Sequence, residues 1–306
     1  MHAAVAQRLT LLLDSCGGLV ADFGRAALSA GYGPLSAQPH SLTSVLVPGA
    51  CLSAGGAWQT AVWPAVGAEC MMAAADLFDD AADADPATAQ AAQSPAVMLT
   101  AAAGLLSLAS SAVLRVTEDG ADAQTALALA RLLGEGFSSA ANGQAANLRP
   151  HLQQIDALTA YRQAAAKSGP LGSLITRLGA RTATDDASIV DLLGQFGWHL
   201  AVRSQLANDA RDAAPNPRSI KADIRAGAGT VPLAFTGSSG APPGLNADEL
   251  ADWEQQERQR VTAGGGLVAA WALAEAERLR AAQALDTLEA GGCPVTGLRL
   301  LIEANA

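Results

Sequence analysis

Apolar residues recur along the chain at the three-and-four spacing of amphipathic helices, and alternating strand patterns separated by turns are scarce. Glycine and proline punctuate this pattern. They place breaks at Gly31 to Pro39, near Pro48, at Asp85-Pro86, at Gly143 to Pro150, at Gly169-Pro170 and at Ala214 to Pro217, leaving segments of helix-bundle length between them. Residues 236–246, rich in Gly, Ser and Pro, read as a surface loop. Asn246-Ala-Asp-Glu then reads as an N-cap followed by first-turn acids. No composition shift or fixed-period repeat divides the chain, so the expected architecture is all-α, one large helical domain over residues 1–306.

Composition supports a helical reading. Alanine and leucine dominate, and aromatic residues make up only 4% against 50% hydrophobic residues overall, which favours helices over sheets. A net charge of -10 excludes a nucleic-acid partner, because a phosphate backbone needs clustered Lys and Arg. Cys16, Cys51, Cys70 and Cys293 lack paired spacing and read as reduced thiols of a cytoplasmic protein. Arg8 and Asp14 flank only a short leucine cluster, so no secretory signal is expected. The charge-free stretch from Pro86 to Leu114 is long enough to cross a membrane, but its Thr, Gln, Ser and Pro content predicts a buried bundle helix and no stable span.

Two acidic runs carry the chemistry. Asp76, Asp79, Asp80 and Asp83 fall three and four apart, which on a helix puts their carboxylates on one face. Like charges stacked this way repel unless cations sit among them, and hard oxygen donors suit magnesium. Gln205, Asn208, Asp209 and Asp212 form a second such stripe. Two stripes facing each other across a bundle could hold several metal ions, which would grip a diphosphate and draw electrons onto it as it leaves.

These residues resemble the trans-isoprenyl diphosphate synthases and the class I terpene synthases that share their fold. Asp79, Asp80 and Asp83 match the first Asp-rich motif, and Gln205 to Asp212 resembles the second, with Asn208 where Asp is commoner. Gly143-Gln144, Tyr161 with Lys167-Ser168, and the run from Lys221 through Asp223, Arg225 and Gly227 to Pro232 resemble further family segments. The resemblance implies a bundle of the isoprenoid-synthase type with a central cavity, and a homodimer. It implies three magnesium ions on Asp79, Asp83, Asn208, Asp209 and Asp212, with Asp80 also catalytic. It implies diphosphate binding by Lys167, Gln205, Lys221 and Arg225, with Arg203 or Arg211 as further cations, and a cavity lined by Trp63, Ala74, Ala75, Phe78, Phe137, Gln144 and Trp198. The small Ala74 and Ala75 imply a substrate of fifteen to twenty carbons or longer.

The departures are equally specific. No Lys or Arg lies between Arg25 and Glu69, where the family carries the cations that hold isopentenyl diphosphate; in register these fall near His40, Ser41 and Thr43. The Arg-Arg-Gly after the first motif is absent, Met72 replaces a His or Gln, and Ala228 replaces a Lys. Binding a second diphosphate without cations is prohibitively costly. The expected activity is therefore a terpene synthase that ionises a prenyl diphosphate, releases pyrophosphate, and cyclises or deprotonates the cation. A prenyltransferase, either elongating or using a non-isoprenoid acceptor, is the alternative, and a non-catalytic partner subunit a second. His199 reads as a core histidine, and Gly264-Gly-Gly266 as a helix-start hinge.

Overall fold

A computed structural model of the chain describes residues 1–30, 33–38, 41–83, 94–148, 155–215, 223–227 and 229–304. Among the described residues there are thirteen α-helices and no strand. They are α1 (His2–Cys16), α2 (Gly18–Ser29), α3 (Thr43–Ser53), α4 (Val62–Asp83), α5 (Pro95–Leu114), α6 (Ala123–Asn147), α7 (Ala157–Ala183), α8 (Ala187–Asp212), α9 (Asp223–Ala226), α10 (Val231–Thr236), α11 (Ala247–Ala263), α12 (Gly266–Ala290) and α13 (Thr296–Ala304). The contacts divide the chain into two compact units. One comprises Met1–Ser138, Gly172–Gly197 and Ala282–Ala306, and the other Ser139–Leu171 and Trp198–Ala281. Helices α6, α7, α8 and α12 contribute residues to both.

In the first unit α4 packs closely along α5. Small residues permit the approach: a β-carbon on Gly67 would lie 2.6 Å from Val113 Cγ1 and 2.9 Å from the Ala109 carbonyl oxygen. Helix α4 is buried through residues 61–71 and becomes accessible only near its acidic end. Helix α5, expected to be buried all round, is buried on one face alone. Met98, Ala101, Ala102, Leu105, Ala109, Ala112 and Val113 face the core, while Leu99 and Leu114 are exposed. Two helical stretches, 58–82 and 95–119, are long and apolar enough to cross a membrane, and the first is mostly buried within the fold.

Two expected breaks do not occur. Pro48 lies inside α3 and Pro170 inside α7. An internal proline costs roughly 3 kcal/mol of helix propensity, and packing holds the helix around Pro170 despite it. Gly169 lies so close beneath Trp198 that a β-carbon would meet the indole at 2.4 Å. The remaining breaks fall at helix ends or outside the described residues. Asn246 caps α11 by accepting from the Asp248 and Glu249 backbone N–H groups, while Glu249 reaches back to the Asn246 N–H. Gly265, with φ at 81°, separates α11 from α12.

Candidate active site

The first stripe ends α4. Asp76 is exposed and Asp79 and Asp80 are half-buried; Asp83 closes the helix, with its side chain outside the described residues. Further into the helix Ala74 is buried and Ala75 half-buried. Phe78 meets Phe137 at a ring separation of 6.2 Å, so these two predicted wall residues are brought together. Trp63 is corrected. Its ring is flanked by the guanidiniums of Arg8 and Arg115, 4.9 and 5.0 Å from the centroid, so cation–π stacking with the protein's own arginines occupies it.

One charged residue interrupts the apolar inner part of α4. Glu69 is 4% exposed and accepts from Ser41 Oγ at 2.5 Å and from Ser44 Oγ. Burial pushes its carboxyl pKa up, the Ser41 and Ser44 hydrogen bonds oppose this, and the Asp76 charge adds to the rise. Ser41, one of the positions where a cation was missed, thus serves Glu69; Thr43 begins α3 and is buried, and His40 lies outside the described residues.

The second stripe ends α8. Gln205 Nε2 donates to Asp209 Oδ1 at 2.7 Å, and Ser168 Oγ of α7 donates to Gln205 Oε1 at 3.2 Å. Asp209 is buried, Asp212 half-buried and Asn208 exposed. Asn208 Oδ1 accepts from Arg211 at 3.1 Å, and Arg258 donates to the Asp212 backbone carbonyl. Lys167 is half-buried beside Ser168. Trp198 covers Gly169 as described. Close passage of α6 by α7, where a β-carbon on Gly143 would lie 2.2 Å from the Ala166 carbonyl oxygen, sets Gln144 beside α7. Arg225 is committed to Glu254, with one contact at 3.3 Å, and Arg211 stacks over Trp271 at 5.4 Å. Lys221 lies outside the described residues.

Among the described residues no three His, Cys, Asp or Glu side chains converge as a self-sufficient metal site. The donors present fit magnesium in another way. This ion keeps much of its hydration and commonly takes only one or two carboxylates, with substrate phosphates supplying the rest.

Residue patterns alone underrated the acids that are buried. Glu277 sits on the buried stripe Ala270, Ala274, Ala281 of α12, and Glu69 within an apolar run. A lone Glu in an alanine stripe is the signal that would have found them.

No protein-family model and no curated protein sequence matches the chain. Solved structures do. A geranylgeranyl pyrophosphate synthetase from Pyrococcus horikoshii Ot3 superposes with TM-score 0.80 at 17% identity, covering 98% of this chain and 94% of that one. A polyprenyl synthetase from Streptomyces coelicolor A3(2) gives 0.80 at 18%, covering 98% and 96%. A polyprenyl synthase from Caulobacter crescentus CB15, complexed with calcium and isoprenyl diphosphate, gives 0.68 at 18%, covering 99% and 95%. The chain therefore has the all-α fold of the prenyl diphosphate synthases.

Proposed function

We propose that the protein ionises a linear allylic prenyl diphosphate with magnesium and delivers the prenyl group to a neutral acceptor. One observation carries this reading: two oxygen-rich helix ends occur in a chain that has no Lys or Arg from residue 26 to 114. Asp79, Asp80 and Asp83, and Asn208, Asp209 and Asp212, would offer the metal-binding oxygens, with Lys167 adding positive charge for the diphosphate. Bound magnesium would neutralise the leaving pyrophosphate. Gln205 would orient Asp209, as its hydrogen bond already does. An anionic second substrate along α3 to α5 would find no Lys or Arg on those helices, and Arg8 and Arg115 beside Trp63 of α4 are stacked on its ring, so the substrate's desolvation would be poorly compensated. The names of the fold's relatives support prenyl transfer over internal closure, so transfer stands first. Closure onto the substrate's own double bond is the second reading, favoured by the same cation-free stretch and the small Ala74 and Ala75.

The deciding experiment incubates the protein with magnesium and each linear prenyl diphosphate, with and without isopentenyl diphosphate or a neutral aromatic acceptor, measuring pyrophosphate and product. Prenylated aromatic product supports transfer, and hydrocarbon or alcohol without co-substrate supports closure. Product that requires isopentenyl diphosphate sinks both readings, and absence of pyrophosphate release leaves the partner-subunit reading.

The exposed side of α5, with Leu99 and Leu114, is proposed to be covered by a second copy of the chain, because an apolar face of this length is costly in water. Light scattering should give a dimer mass, and Leu99→Glu should shift it toward monomer.

A further inference from the structure

A second cluster of ionisable groups lies outside both acidic stripes. Glu277 of α12 is 1% exposed, at a position where alanines pack above and below. Its carboxylate accepts from the Tyr161 hydroxyl of α7 at 2.8 Å, from His199 Nδ1 of α8 at 2.6 Å, and from Arg280. Burial alone would raise its pKa. The His199 and Tyr161 hydrogen bonds and the His199 and Arg280 charges outweigh burial and hold the pKa below the usual carboxylate range. A buried carboxylate is costly unless it is fully partnered. Packing would favour another alanine here, so the carboxylate's contribution is the tie it makes between helices.

The helices it ties carry Lys167 and Gln205, two of the residues proposed to bind the diphosphate. Tyr161 and Ser168 are seven residues apart on α7, two turns along one face. His199 and Gln205 are six apart on α8, about 9 Å along the axis. Ser168 donates to Gln205, and Gln205 to Asp209. Glu277 thus bonds to both of the helices that present Lys167, Ser168, Gln205 and Asp209.

We infer that Glu277 is a positioning residue: through Tyr161 and His199 it fixes α7 against α8 so that Lys167, Ser168, Gln205 and Asp209 present one preset geometry to a magnesium–pyrophosphate group. The inference rests on the proposed prenyl-diphosphate reading. Small displacements of binding groups are expensive in such a site, since a misplacement of about 1 Å can cost roughly 100-fold.

The test is calorimetric binding of inorganic pyrophosphate with magnesium to the full chain, alongside thermal melting. Glu277→Gln and Tyr161→Phe should remain folded and weaken binding about 10-fold, in the range found for groups that orient metal ligands. Combined with Ser168→Ala, their effects should be less than additive, because both act through the same α7–α8 geometry. Should Glu277→Gln fail to fold, Tyr161→Phe, which removes a single hydroxyl, decides. Variants that melt lower but bind as tightly as the wild type would overturn the inference, as would strictly additive effects with Ser168→Ala. A wild-type protein that binds no magnesium–pyrophosphate sinks the functional reading itself, and the inference with it.

Discussion

The acidic ends of α4 and α8 have similar residue spacing and opposite surroundings. Around α8 the acids are supported: Gln205 holds Asp209, Arg211 holds Asn208, and Arg258 binds the carbonyl of Asp212. On α4 the acidic end is more accessible, with Asp76 exposed and Asp79 and Asp80 half-buried, and further in the buried Glu69 accepts from serine hydroxyls. The difference teaches that equal spacing does not give equal settings: Asp209 is buried and held by Gln205 of its own helix, while the first stripe lies nearer to solvent.

The largest expected effect tests whether both stripes serve one reaction. Asp79→Ala and Asp209→Ala should each lower magnesium-dependent pyrophosphate release by roughly 10²- to 10³-fold, the scale of losing one electrostatic contact to a leaving group. Wild-type rates in Asp79→Ala alone would confine the chemistry to α8. A smaller effect probes the pre-organisation. Gln205→Ala should raise the magnesium concentration for half-maximal activity roughly 10- to 100-fold, and an unchanged metal requirement would remove the asymmetry between the stripes.

Glu69 gives the smallest effect, read as stability against pH. Its folded-state pKa lies above the unfolded value, so the folded protein binds this proton more tightly. Stability from that proton is present below the unfolded pKa and is lost as pH rises through the folded one. Glu69→Gln, which still accepts from the serines but cannot ionise, should therefore gain melting temperature relative to the wild type as pH rises above the normal carboxylate range. A difference that stays constant with pH would show that Glu69 is compensated after all.

Much of this was legible in the residues. The spacing of Asp76 to Asp83 and of Gln205 to Asp212 put each set on one helix face, and Asn246 followed by Asp248 and Glu249 announced an N-cap with first-turn acids. The failures have physical causes. Pro170 reads as a break, yet the packing of Gly169 under Trp198 outweighs the local penalty. The arginine contacts of Trp63 could not be read at all, because only the fold brings Arg8 and Arg115, far away in sequence, onto its ring. Glu277 was passed over because its partners Tyr161 and His199 lie on other helices.

By itself, then, the sequence determined the helices, the acidic stripes and the cation-free run from residue 26 to 114, because these follow from local spacing and from composition. Tertiary structure alone decided which charges are satisfied. Arg225 went to Glu254, Ser41 and Ser44 to Glu69, and Tyr161 and His199 to Glu277. Hydrogen bonds and ion pairs act over a few ångströms, and which groups come within that range is set by helix packing rather than by position in the chain.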